Sequence, residues 1–364
     1  MPGNILKYAA KGNASDIHIT QNKPAWLRQN GEFKQHEYIA TVNDIDKFVE
    51  SFMPDMLCQY HKFKNRENTC PIDCAFQFMN RRFRANIYYS LSGMNVALRL
   101  LSDKIMPLEK LLMPDNVTEF ITPHNGLILV AGKRGSGKTT TLASMIDAIN
   151  HSRCENFLTI EEPIEYIHKS DLSRIEQIEV GVHAESFEAA TIAALRQNPN
   201  IILIGEMRDL PTIQNAITLA ETGHMVYGTL HAKSITETID RIIDVFPSGQ
   251  QEQIRQQLAS VLKGILHQTL VRGINGNVIP IVEQLIVDDT VSSMIMQRQK
   301  PNAIRDYLRG KSKCGNVHIA DNVAWHIQSS RLEVQTIKHL LSPDDYNMVK
   351  AILANFKTRG GFDG

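Results

Sequence analysis

The spacing of apolar and polar positions changes character near residue 126. Before it, Asp16-Ile17-His18-Ile19-Thr20 alternates with a period of two and predicts a strand, as do Arg82–Tyr88 and Asn95–Leu101. Asn43–Leu57 instead spaces its apolar residues three and four apart, which predicts a helix. From Ser102 to Asn116, Pro107 and Pro114 interrupt leucines and methionines, the pattern of a partly packed linker. After Gly126 strand-like and helix-like runs alternate. Leu127–Ala131, Asn156–Ile160, Asn200–Gly205 and His224–Leu230 read as strands, Phe187–Arg196 and Pro211–Thr222 as helices. Pro211 opens its helix and Gly223 stops it. This alternation predicts an α/β fold with a parallel sheet covered by helices. Gln250–Val271 reads as one long helix, Asn275-Gly276 as a hairpin turn, the remainder to about Lys357 as mostly helical, and the tail TRGGFDG as disorder.

At 364 residues the chain is expected to form about two domains, each large enough for its own core. Lys+Arg and Asp+Glu both number 39, a zero net charge that argues against a protein dedicated to coating nucleic acid. The five cysteines, Cys58, Cys70, Cys74, Cys154 and Cys314, are scattered, and Cys70-x-x-x-Cys74 lacks the second pair of a zinc site. They read as reduced structural thiols of a cytosolic protein. No apolar run approaches the ~20 residues that span a bilayer, and the opening MPGNILKYAAKGNASD has no signal-peptide core. Membrane association is therefore expected only through a partner.

One segment carries the chemistry. In Leu127–Ala143 (LILVAGKRGSGKTTTLA) an apolar strand ends at Ala131, a glycine-rich loop follows, and a helix starts at Lys138. Gly132-x-x-x-x-Gly137-Lys138-Thr139 is the P-loop pattern in its strand–loop–helix setting. Its glycines let backbone N–H groups turn inward on phosphate oxygens, and the helix N-terminus adds partial positive charge. Gly132, Lys133, Arg134, Gly135, Ser136, Gly137, Lys138, Thr139 and Thr140 are the expected nucleotide cradle. In it Lys138 neutralises the β- and γ-phosphates and the Thr139 hydroxyl meets Mg²⁺; the expected cofactors are ATP and Mg²⁺.

Three further groups follow. Ile201-Ile202-Leu203-Ile204-Gly205-Glu206 is an apolar strand ending in one acid, the shape of a Walker B element that holds Mg²⁺ or its water. Thr159-Ile160-Glu161-Glu162-Pro163-Ile164-Glu165 packs three carboxylates into five residues, one of them a candidate base, or orienting group, for the water attacking the γ-phosphate. His224 and His231 flank a strand and lie too far apart to share a metal ion. Separate roles, as phosphate sensors or hydrogen-bond relays, fit them better.

The segments GxxGSGKTTTLA, TIEEPIEY, IILIGEMRDLPTI and AETGHMVYGTLHAKSITETIDRIIDVFP resemble those of the secretion-superfamily ATPases, and most of all the type IV pilus retraction, or twitching-motility, ATPases. Ala14-Ser15-Asp16-Ile17-His18 and Arg82-Phe83-Arg84-Ala85-Asn86 are similar to that family's N-terminal domain. The resemblance implies an α/β architecture of a PAS-like domain (1–101), a linker (102–118) and a RecA-like ATPase domain with a helical C-terminal region (119–364), assembled as a homohexameric ring. It implies an ATP hydrolase doing mechanical work on a type IV pilus, bound to an inner-membrane platform protein at the cytoplasmic face, with no nucleic-acid partner. Among site residues it implies Glu165 as general base, Glu206 as Walker B acid, His224 and His231 as a histidine box, and Arg82, Arg84 and Arg99 as arginines that approach the nucleotide.

Two departures stand out. Glu162 replaces the usual Asp of the acidic box, and Val291–Arg298 (VSSMIMQR) does not reproduce the charged signature of retraction enzymes. Assembly-type relatives carry a longer N-terminus and a four-cysteine motif, neither of which is present. The rival readings are the same enzyme in a conjugation or type IV secretion apparatus, a RecA-like nucleic-acid translocase, and a non-enzymatic nucleotide switch.

Overall fold

The computed structural model describes residues 2–29, 32–101, 104–298, 301–310 and 315–358. Cys314 and all but the first residue of the tail TRGGFDG lie outside them. Contacts divide the chain into two compact units, the first formed by residues 1–105, 160–169 and 177–190, the second by residues 106–159, 170–176 and 191–364.

The first unit contains α1 (Pro2–Tyr8), β1 (Asp16–Thr20), β2 (Pro24–Gln29), β3 (Glu32–Ile39), α2 (Val42–Phe52), α3 (Leu57–Lys64), β4 (Ile72–Phe78), β5 (Arg81–Ser90) and β6 (Gly93–Leu100). The strands form a six-stranded sheet, order β3-β2-β1-β6-β5-β4, with every pairing antiparallel. Alternation along β5 buries Phe83, Ala85 and Ile87 on one face and sends Arg82 and Arg84 to the other. The buried face packs on Phe48 and Val49 of α2 and Tyr60 and Phe63 of α3. Thr41 and Asp44 cap α2 reciprocally, side chain to backbone in both directions. The sequence pattern did not reveal β2, β3 or β4. β3 is an edge strand with mostly exposed residues and so has no apolar face to read.

The second unit contains β7 (Gly126–Ala131), α4 (Lys138–Asn150), β8 (Asn156–Glu161), β9 (Arg174–Glu179), α5 (Phe187–Ala194), β10 (Ile201–Ile204), α6 (Leu210–Glu221), β11 (Met225–Leu230), α7 (Ile235–Asp244), α8 (Gln251–Val261), β12 (Leu262–Arg272) and β13 (Val278–Ile286). β8, β9 and α5 run into segments grouped with the first unit. Helices α9 (Asp289–Met296), α10 (Pro301–Gly310), α11 (Ile319–Gln328), α12 (Val334–Ile337) and α13 (Pro343–Thr358) complete it. The sheet order is β13-β12-β7-β11-β10-β8-β9. β7, β10 and β11 are buried along their whole length, as parallel strands covered on both faces must be.

The long helix expected over Gln250–Val271 is a correction. It is helical only to Val261, and the rest is strand β12, parallel to β7 on one side and antiparallel to β13 on the other. A short apolar run fits helix or strand equally; two hydrogen-bonding neighbours decide for strand here. The sheet is therefore mixed rather than wholly parallel, and the region after the Asn275-Gly276 turn opens with a strand before becoming helical. α11 and α13 pack through Ala320, Val323 and Val349 on Ile279 and Ile281 of β13. In the first turn of α13, Asp345, 3% exposed, accepts hydrogen bonds from Arg305, Arg309 and Ser342. His318 Nε2 lies 3.6 Å from Asp345 and 3.9 Å from Glu283, whose carboxyl burial pushes up to about 7.

Candidate active site

Parallel pairing aligns the C-terminal ends of three strands. Ala131 of β7 stands opposite Leu230 of β11 and His267 of β12, and Ile204 of β10 opposite Gly228 of β11. The residues that follow these ends therefore meet at one edge of the sheet: the loop 132–137 after β7, Glu206 after β10 and His231 after β11. Such an edge of an open α/β sheet is where ligands bind.

The loop is built as an anion cradle. Gly132 has φ +151° and a Cβ there would run into the Gln268 carbonyl oxygen and the Ser136 hydroxyl; Gly137, φ +87°, caps α4 in a left-handed conformation. Lys133, Arg134 and Gly135 are exposed. Ser136 is 4% exposed, and its buried hydroxyl has no hydrogen-bond partner among the described residues. An orphaned buried donor in a cradle of this shape fits a phosphate oxygen. Lys138, also buried, donates from Nζ to the carbonyls of Gly132 (3.0 Å) and Lys133 (3.2 Å). Thr139 and Thr140 stand half-buried at the start of α4.

A chain of polar groups leaves Lys138. His231 Nδ1 lies 3.5 Å from Lys138 Nζ and 3.2 Å from the Gly132 carbonyl oxygen, while its Nε2 faces Glu206 Oε1 at 3.2 Å. Glu206 is also gripped by Arg208, Nε to Oε1 and Nη2 to Oε2, both 2.6 Å. Glu206, Arg208 and His231 line, with Met207, Ile213, Leu230, Arg241 and Val245, a pocket of about 220 Å³. A carboxylate and a threonine hydroxyl are the hard oxygen donors that Mg²⁺ takes, so Glu206 and Thr139 fit that ion.

His224 is elsewhere. It precedes β11 at the opposite sheet edge, its Nδ1 3.0 Å from the Leu219 carbonyl oxygen and 3.1 Å from the Thr222 hydroxyl. The two histidines thus stand apart, as their spacing required.

The first unit gathers the other candidates on the polar face of its sheet. Arg84 and Arg99 are directly paired across β5 and β6. Arg82 donates to the Ile164 carbonyl (2.6 Å) and Glu179 (2.9 Å). Arg84 forks onto Asp73 at 3.0 and 2.5 Å, with Nη1 3.5 Å from Glu165 Oε1. Arg99, 65% exposed, reaches Asp16 at 2.8 Å. The acidic segment around Glu165 thus folds with the arginine-bearing unit.

Two residues near the loop were not anticipated. Gln268 of β12, fully buried, donates to the Ser136 carbonyl (2.5 Å) and accepts from Thr141 Oγ1 (2.9 Å). Its neighbour His267 is kept below its ordinary pKa mainly by burial, against a hydrogen bond to the backbone of Ala232. The signal was an amide inside an apolar strand: a buried polar side chain needs partners.

A glycine-rich phosphate cradle at the C-terminal edge of a doubly covered sheet, with a lysine inside it and an acid on the neighbouring strand, defines a P-loop ATPase. The chain belongs to the type II/IV secretion system protein family, whose model matches residues 3–355. It is 36% identical over 300 residues to the "type IV pilus retractation ATPase PilT" of Pseudomonas aeruginosa, covering 80% of this chain and 86% of that protein. It is 38% identical over 270 residues to a "twitching motility protein" of Neisseria gonorrhoeae, 74% of this chain and 71% of that one. The crystal structure of the pilus retraction motor PilT with bound ADP superposes with a TM-score of 0.82 at 36% identity, covering 94% of this chain and 98% of that one. Among the described residues no helix is long and apolar enough to cross a membrane.

Proposed function

We propose that this chain is the motor that retracts a type IV pilus, hydrolysing ATP as a homohexameric ring of PAS-like and RecA-like domains at the cytoplasmic face of the inner membrane, against a platform protein. The observation that carries this reading is the 36% identity to a pilus retraction ATPase across 80% of this chain. Val291–Arg298 departs from the retraction signature in charge while the helix there, α9, is kept and capped by Asp288; that departure weighs against retraction in particular and not against ATP hydrolysis.

In this reading Lys138 leaves the Gly132 and Lys133 carbonyls for the β- and γ-phosphates, and the Ser136 hydroxyl gains an acceptor. Mg²⁺, when bound, would neutralise charge on the phosphates; Thr139 and Glu206 are the residues to hold it, Glu206 partly through water. His231, between Lys138 and Glu206, is the proposed sensor of the γ-phosphate, a role its two neighbours support. His224 would act through strand β11 rather than by touching a nucleotide in this chain's own loop. Glu165 is the proposed general base, and Arg82, Arg84 and Arg99 the proposed phosphate-directed arginines, roles drawn from the resemblance.

Deleting the gene and counting surface pili tests the cellular role: excess pili support retraction, absent pili would make it an assembly motor. Glu165→Gln tests the base: ATP binding is expected to survive while turnover is lost, and parallel loss of both would give Glu165 a structural role.

A further inference from the structure

Glu206 already has a cation. Arg208 lies two residues along the same loop and lays its planar fork on both carboxylate oxygens, 2.6 Å at each, while His231 takes a second position on Oε1. The backbone on either side of the pair is fastened. Met207 N–H donates to the Thr229 carbonyl (2.9 Å), and the Thr229 hydroxyl donates to the Gly205 carbonyl (2.5 Å). Asp209 caps α6 by accepting from Thr212 N–H at 2.9 Å. Between these anchors the Arg208 side chain is 68% exposed. Arg241 lines the same pocket but is held by Glu237 at 3.0 Å, so the pocket's two arginines differ in partner.

A divalent cation needs the same Glu206 oxygens, directly or through its water. The fork occupies the inner lone pairs of both, and a dication placed on the outer ones would sit against a full positive charge with little solvent between. The two cations therefore exclude one another at this carboxylate. We propose that Arg208 is a resident counter-ion of Glu206 that must be displaced before a divalent cation can use that carboxylate, so that metal entry and release of Arg208 are one event. This rests on the reading of Glu206 as the acid that holds Mg²⁺. Arg208 is then a positioning residue: it keeps the Glu206 carboxylate aligned and shielded while the site holds no metal, and sets how much Mg²⁺ is needed to take it.

The test is binding rather than turnover. Fluorescent ADP is bound to the full chain at fixed concentration while Mg²⁺ is titrated, starting from chelator. Arg208→Gln is expected to lower the half-saturating Mg²⁺ concentration by about tenfold, the order of magnitude of an ordinary coupling free energy. Arg208→Lys keeps the charge but loses the fork, and is expected to shift the midpoint most of the way. In a Glu206→Gln background, substituting Arg208 is expected to change nothing further. An unmoved or raised midpoint in Arg208→Gln overturns the proposal. So does Arg208→Lys behaving as wild type, which would reduce the effect to distant charge, or ADP binding in chelator that collapses in the variant. A wild-type chain whose ADP binding ignores Mg²⁺ overturns the reading of Glu206 and this inference with it; a Mg²⁺-dependent wild type with an unmoved variant overturns this inference alone.

Discussion

The imidazole of His231 bridges two loops that are far apart in sequence: its Nε2 is 3.2 Å from Glu206 Oε1 while its Nδ1 is 3.5 Å from Lys138 Nζ. His224, at the other end of the same strand, contacts only its local turn in the interactions described above. His231→Ala is expected to lower turnover at least tenfold while leaving thermal stability nearly unchanged. His224→Ala is expected to lose about 1 kcal/mol of stability instead, the ordinary worth of a hydrogen bond. ATPase rates and melting curves of the purified variants check both; the reverse pattern would reassign the pair.

Lys138 is the cation enclosed by the loop, and phosphoryl transfer depends on positioned charge. Lys138→Ala is expected to abolish hydrolysis, by 10³-fold or more on the order of what a phosphate-contacting cation supplies. Turnover near wild type in the folded variant would refute the assignment of the loop.

Gln268 holds the loop's shape from a different strand. Gln268→Leu keeps the volume and removes both hydrogen bonds, leaving the Ser136 carbonyl and Thr141 hydroxyl unsatisfied at about 1–3 kcal/mol each. ADP is expected to bind roughly tenfold more weakly, since part of that cost falls on the cradle's geometry. If calorimetry finds unchanged affinity with a lower melting temperature, Gln268 is a packing residue only.

Glu283 gives a pH dependence with a definite sign. Its carboxyl lies near 7 in the folded chain against an ordinary 4.5, so between these values the native state holds a proton that the unfolded chain has lost. This contribution to stability is complete below about pH 4.5 and is lost as the pH rises to about 7. Glu283→Gln imitates the protonated form. It is expected to be more stable than wild type at pH 8, by about 2–3 kcal/mol, and equal to it near pH 4.5. The facing groups Asp345, Arg305, Arg309 and His318 remain in both, so denaturant titrations at the two pH values isolate Glu283.

The P-loop, Glu206 and both histidines were legible in sequence because each is tied to a strand end, and apolar runs such as Ile201–Ile204 mark strand ends plainly. The hairpin at Asn275-Gly276 was legible from its turn chemistry, and Gly276 does adopt φ +75°. Gln250–Val271 misled because nothing local distinguishes its second half from helix. Only β7 and β13, more than 100 residues before it and just after it, make Leu262–Arg272 a strand. Gln268 was missed as a functional candidate for the same reason: its partners are set by strand order, and strand order is not local. Arg208 stands within the motif IILIGEMRDLPTI, but the motif alone gave it no role, because nothing in the sequence shows that its side chain turns back onto Glu206.

The acidic segment with Glu165 and the stretch 177–190 share a core with the first hundred residues, and Arg82 ties Ile164 and Glu179 into that body. Among the described residues no single cut along the chain separates the two units. A fragment starting near residue 106 would keep these two segments but strip them of the sheet they fold against, and would lose Arg82, the ion-pair partner of the Glu179 carboxylate. Dissection of the enzyme therefore calls for point substitutions in the intact polypeptide.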